Sequence, residues 1–169
     1  THTHITTTMK AQEPSILIYN ISKTPNVKSL LKNAVAFGCT TIFVAGQKNF
    51  KFDHDEEKSG IPTSVKPLIR EGHLNIIKFD KLEECVDHIH SLGMTLVGVE
   101  IDESAKDIEA EDCFEPDCTV CFMMGNEGTG MNEKQMRLCD RFVKIRQYGG
   151  GTASLNVSIA AAIVLQVYS

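Results

Sequence analysis

The chain has 169 residues, 42% of them hydrophobic, enough to bury one substantial core but hardly two, so a single domain is expected. A net charge of −5 argues against indiscriminate nucleic-acid binding, the longest apolar stretch (157–165) is too short to span a bilayer, and the first residues lack the basic and apolar regions of a secretory leader. Six cysteines without framework-like spacing suit a reducing compartment, so an intracellular protein is expected, cytoplasmic in the first instance, with nucleus or organelle left open.

In chain order, residues 1–13 read as a flexible tail in which His2 and His4 have no fixed partners, and the domain is expected over 14–169. Apolar runs at 16–19, 41–44, 75–79, 95–99, 119–124 and 141–145 read as strands. Between and after them, helical patterns run over 27–37, 82–91, 132–139 and 155–168, with Gly38 and Gly93 as stops, Asn132 placed to cap the third and Ser154 the last. Polar stretches at 50–60 and 102–117 read as exposed loops. The alternation predicts an α/β fold, a mainly parallel sheet flanked by helices, without internal repeats.

Charge is unevenly spread. Asp102, Glu103, Asp107, Glu109, Glu111, Asp112, Glu115 and Asp117 fall in one segment; Lys134, Arg137, Arg141, Lys144 and Arg146 gather in another, and Lys23, Lys28 and Lys32 near the first helix. Each basic cluster reads either as a solvated face or as an RNA contact. Cys118 and Cys121 have redox or zinc spacing, yet a second ligand pair is missing and a strand follows, so they read as ordinary strand cysteines and no metal is expected.

Two glycine-rich turns carry the most information. Gly125-Asn126-Glu127-Gly128-Thr129-Gly130 follows an apolar strand, and Gly149-Gly150-Gly151-Thr152-Ala153-Ser154-Leu155-Asn156-Val157-Ser158 runs into the alanine-rich last helix. Glycine lets backbone approach a ligand closely. Neither turn supplies the lysine of a phosphate loop or the GxGxxG of a first βαβ unit, which disfavours a phosphate cradle.

The stretch from Phe122 to Met131, Cys139-Asp140, and Ser154-Leu155-Asn156-Val157-Ser158 resemble the second and third motifs of the SpoU/TrmH family, RNA 2′-O-ribose methyltransferases of the SPOUT superfamily. Asn20, Pro25-Asn26-Val27, Lys32 and Ala36-Phe37-Gly38 resemble the first. The match is colinear over nearly the whole chain and is closest to members without a separate RNA-binding domain.

The resemblance implies a SPOUT-type fold with a C-terminal trefoil knot, although topology rules alone predict an unknotted sheet. It also implies a homodimer and S-adenosylmethionine as cofactor, leaving S-adenosylhomocysteine as product. The implied substrate is a ribose 2′-hydroxyl in a structured tRNA or rRNA, held by the dimer's basic surface or by an accessory protein. Leu155, Ile159, Ile163 and Val167 would face the second copy or fill the monomer's own core.

Motif by motif, the resemblance places Asn26, Lys32, Glu127, Ser154 and Asn156 at the reacting centre. Gly125, Asn126, Glu127, Gly130, Ile145, Gln147, Tyr148, Ser154, Leu155 and Asn156 would surround the cofactor. Taken singly, a helix cap accounts for Ser154, an exposed turn for Glu127 and a loop amide bonding its own backbone for Asn156. Lys32 stands six residues after Asn26, where family members carry arginine. Lysine keeps the charge, loses the planar fork and titrates more readily when desolvated, so it fits a phosphate contact, a base, or a chain that binds RNA without turnover. Lys28 and Arg146 also depart from the family, replacing glycine and proline.

Overall fold

The structure is a computed structural model describing residues 13–150 and 154–169. Most of the expected tail, with His2 and His4, and Gly151-Thr152-Ala153 of the second glycine turn lie outside the described residues. Seven strands, β1 (Ser15–Ile18), β2 (Thr41–Ala45), β3 (Asn75–Phe79), β4 (Thr95–Val99), β5 (Lys106–Asp107), β6 (Val120–Met124) and β7 (Arg141–Lys144), form one sheet in the order β3-β2-β1-β6-β4-β7-β5. Every neighbouring pair is parallel.

Helices α1 (Thr24–Ala36), α2 (Lys66–Arg70), α3 (Leu82–Ser91), α4 (Glu133–Leu138) and α5 (Val157–Tyr168) complete the fold. The central strand β6 is buried at all five positions, as a strand covered on both faces must be, and its sequence VCFMM is accordingly a continuous apolar run. Strand β1 distributes its side chains by the period of two. Ile16 and Ile18 join a core with Leu30, Leu31, Phe122, Val164 and Leu165 beneath α1 and α5. Leu17 joins the opposite core with Phe43, Cys85, Ile89 and Met123 beneath α3.

The expected sheet and helices are present, with local differences. Helix α1 starts at Thr24 because Pro25, whose fixed φ suits the first turn, extends it upstream. Helix α5 begins at Val157, capped by Asn156 and not by Ser154. Residues 102–117 are not simply an exposed loop: they contain the edge strand β5, paired with β7, and bury Ala105, Ile108 and Cys113. Within 50–60, Phe50 and Phe52 are buried with ring centroids 4.6 Å apart. Cys121 lies wholly inside β6, where burial pushes its thiol well above the ordinary value. No helix among the described residues is long and apolar enough to cross a membrane.

Since β1, β4 and β6 are adjacent and parallel, their C-terminal ends open at one rim of the sheet. Ligands of open parallel sheets bind at that rim, where strand order changes direction.

Candidate active site

Strand β6 ends at Met124, and the chain turns through the first glycine-rich segment. Asn126 and Gly130 close this turn as an antiparallel bridge, with backbone bonds of 2.9 Å in each direction. The Asn126 carboxamide oxygen accepts from the N–H groups of Gly128 and Thr129, and its amide donates to Asn20 O at 2.8 Å and Ser22 Oγ at 2.7 Å. One side chain therefore shapes its own turn and ties it to the loop after β1. A Cβ on Gly125 would lie 2.7 Å from the Gly130 carbonyl carbon, closer than side chains tolerate, so glycine is required by packing.

Glu127 is the hub. Its carboxylate accepts from the backbone N–H groups of Ser22 (2.8 Å) and Lys23 (2.7 Å) and from Asn26 Nδ2 (3.1 Å). Burial alone would raise this carboxyl, but hydrogen bonds from its own N–H, Ser22, Lys23 and Asn26 outweigh burial and hold it below the ordinary carboxylate range. Asn26, buried in the first turn of α1, has its carboxamide oxygen turned to Asn156 Nδ2 at 3.3 Å. The Asn156 carboxamide oxygen accepts from Ser158 N–H (2.9 Å) and Ile159 N–H (3.4 Å) at the head of α5. Glu127, Asn26 and Asn156, remote in sequence, thus form one chain of hydrogen bonds joining the glycine turn after β6, the first turn of α1 and the cap of α5.

This chain edges a cavity of about 580 Å³ whose wall includes Gly125, Asn126, Glu127, Gly130, Ser154, Leu155 and Asn156. A smaller cavity of about 90 Å³ adjoins it, lined by Val99, Ile101, Ile145, Gln147, Leu155 and Ala160. The structure therefore brings ten of the twelve sequence-predicted residues, including Asn26, to these two cavities directly, with Glu127 serving both as wall and as hub. It does not bring Lys32 or Tyr148 there. Lys32 stands on the solvent face of α1, 120° around from Asn26 by helix geometry. Tyr148 is 80% exposed and its hydroxyl lies 3.5 Å from Glu109 Oε2.

Glu100, the first residue after β4, lines both cavities and was not singled out in the sequence. Its position one residue past an apolar strand was the available signal. The larger cavity carries Lys23, Glu100 and Glu127 as its charged residues, and the smaller carries Glu100 and Lys144. Such a carboxylate-bearing wall suits a cationic ligand better than a polyphosphate.

The basic clusters differ in what they offer. Lys134 pairs with Glu83 at 2.9 Å, Arg146 with Asp107 at 2.8 Å, and Arg141 hydrogen-bonds Cys113 O with its guanidinium over the Phe114 ring. Lys28 and Lys32 have no side-chain partner among the described residues and sit four residues apart on one exposed face of α1.

The sequence profile of the SpoU rRNA Methylase family matches residues 13–166. The chain belongs to that family. A TrmH family protein of Staphylococcus epidermidis is 24% identical over 163 residues, covering 94% of this chain and 60% of that protein. The tRNA (guanosine(18)-2′-O)-methyltransferase of Escherichia coli is 32% identical over 82 residues, 48% of this chain and 34% of that enzyme. In both comparisons this SpoU family chain spans less than two thirds of its relative's length. Its fold matches that of the SpoU methyltransferase AviRb from Streptomyces viridochromogenes, solved in complex with AdoMet. The TM-score is 0.73 at 21% identity, covering 93% of this chain and 57% of that one.

Proposed function

We propose that this chain binds S-adenosylmethionine in the paired cavities and methylates a ribose 2′-hydroxyl in tRNA or rRNA. The observation that carries the reading is the Glu127–Asn26–Asn156 chain, which joins the three family motifs at the edge of the larger cavity. Support also comes from the AdoMet-bound AviRb structure and from the ribose 2′-O activity named for the E. coli relative.

The residues present fit the cofactor. The cavity's volume is ordinary for a small-molecule site, glycine backbone forms its wall, and two carboxylates against one lysine give it a negative character that suits a cationic cofactor. Gly125, Leu155 and Asn156 would hold the methionine portion, while Ile145 and Leu155 in the smaller cavity would flank the adenine. S-adenosylmethionine, when bound, supplies a methyl group on positively charged sulfur. Asn26 and Asn156, fixed by each other and by Glu127, orient the ribose so that its hydroxyl oxygen approaches in line. The hydroxyl must lose its proton to solvent water during attack, and a positive side chain near that oxygen or its neighbouring phosphate lowers the barrier.

Lys28 and Lys32, outside the cavity wall on the open face of α1, supply positive surface for RNA phosphates away from the reacting oxygen. The reading includes a homodimer, supported by the outward face of α5, where Ile159 and Val167 are 53% and 38% exposed while Ala161, Val164 and Leu165 fill the core.

A second reading, an RNA-binding scaffold without turnover, is favoured by Lys32 lying outside the cavity wall of its own chain. Transfer of labelled methyl from S-adenosylmethionine into total RNA, followed by nucleoside analysis, separates the two. A 2′-O-methylnucleoside that disappears with Asn156→Ala supports the methyltransferase. Retained cofactor binding with no product from tRNA or rRNA, and product gained on Lys32→Arg, would establish the scaffold.

A further inference from the structure

We propose that Glu100 is a cofactor-binding residue whose carboxylate accepts hydrogen bonds from the two ribose hydroxyls of the adenosyl group. The inference rests on the cofactor reading above and assigns a residue outside all three motifs.

Glu100 is held from both sides. Its backbone N–H donates to Val143 O at 3.1 Å across the β4–β7 pair, which fixes its Cα at the sheet rim. Its carboxylate accepts from Ile101 N–H at Oε1 and from Met131 N–H at Oε2, each at 3.0 Å. The glycine turn presses against it: a Cβ on Gly130, whose φ is +69°, would lie 2.8 Å from Oε2. Two backbone donors and a packed turn therefore set the direction of the group. Each oxygen can still accept another bond, because an ionised carboxylate has about four lone-pair sites.

Position supplies the chemistry. The smaller cavity is walled mainly by aliphatic side chains, Val99, Ile101, Ile145, Leu155 and Ala160, and suits the flat faces of a base. The larger one is polar and suits an amino acid's charged ends. Glu100 lines both cavities and is the one charged residue they share among the described residues. An adenosyl group that places its base in one cavity and its amino-acid portion in the other has its vicinal diol at that junction. A carboxylate is acceptor-only, and a diol offers two donors, so the groups are complementary.

The test is calorimetric titration with S-adenosylhomocysteine and with its 2′,3′-dideoxy analogue, on the full chain and on Glu100→Ala and Glu100→Gln. Removing both hydroxyls is expected to weaken binding to the parent about tenfold to a hundredfold, the range for hydrogen bonds to a charged group. In Glu100→Ala the same removal is expected to cost less than about threefold. Equal binding of the two ligands by the parent overturns the proposal even if both variants fail to fold. An undiminished loss in folded Glu100→Ala or Glu100→Gln overturns it too, and leaves Glu100 as a brace for the glycine turn. A folded parent that binds neither ligand defeats the cofactor reading itself, and the inference falls with it; intact S-adenosylhomocysteine binding without hydroxyl dependence defeats the role of Glu100 alone.

Discussion

Asn156 offers its Nδ2 to Asn26 Oδ1 at 3.3 Å while its own Oδ1 caps helix α5, so one carboxamide both starts the last helix and holds Asn26 at the edge of the larger cavity. Two functions on one side chain can be separated by substitution. Asn156→Ala is expected to lower stability by about 1 kcal/mol through the lost cap and also to abolish methyl transfer. Asn156→Ser, which still caps, is expected to recover most of the stability in urea denaturation yet lose about a hundredfold in transfer, because Asn26 is no longer held. Recovery of both together would mean that the cap is all Asn156 provides.

Glu127 makes stability depend on pH in a definite direction. Its carboxyl is lowered in the fold from an ordinary value of 4.5, so the ionised form favours the native state. That contribution is fully present above the unfolded value and is lost as pH falls through the lower folded value. The stability difference between the parent and Glu127→Gln is therefore expected to be largest from neutral pH down to about 5 and to shrink below about 4.5. Urea midpoints measured across that range check it; a difference that grows on acidification would contradict the hydrogen-bonding account.

Glycine is expected to matter unequally along the two turns. Gly130→Ala meets both a left-handed backbone and the Glu100 carboxylate, so it is expected to cost roughly 1–3 kcal/mol and to weaken cofactor binding. Gly149→Ala would meet nothing within 4 Å and carries no positive φ, so its thermal midpoint is expected to stay near the parent's. Thermal melts of the two variants side by side provide the measurement.

The open face of α1 is expected to carry RNA. Lys28→Glu combined with Lys32→Glu should weaken RNA binding and flatten its salt dependence by roughly 0.7 to 0.9 in log–log slope for each phosphate contact removed. Arg146→Ala, whose side chain is already paired with Asp107 at 2.8 Å, should change that slope far less. Fluorescence anisotropy at several salt concentrations distinguishes the two surfaces.

Most of the sheet was legible because parallel strands buried on both faces are continuous apolar runs: β3 and β4 have the expected bounds, and β6 begins one residue later than expected. Strand β5 was not, since two residues, Lys106 and Asp107, carry no period and owe their pairing to β7. Asn132 caps α4 through a full capping box, as its sequence position suggested. Ser154 was expected to cap the last helix and Asn156 does so instead, because both side chains can cap and the choice depends on where the loop turns. The glycine turns and the Asn26, Glu127 and Asn156 positions stood out as motifs. Glu100 did not, because a lone glutamate after a strand gains meaning only when the sheet order brings Met131 and Gly130 against it. Nor could sequence show that Lys134, Arg141 and Arg146 are occupied by local partners while Lys28 and Lys32 are not.

The hydrogen bonds from Ser22, Lys23 and Asn26 to Glu127, and from Asn156 to Asn26, span sequence separations of 101 to 130 residues. Contacts of that range form late, since the cost of closing long loops precedes any gain from the contact. A chain arrested before α5 docks can form the bonds to Glu127 but has no Asn156 for Asn26, so the cavity's edge is complete only once the last helix is in place. Ligand binding at this rim is consequently a readout of completed folding, and a ligand captured there would stabilise the finished fold without speeding the early steps.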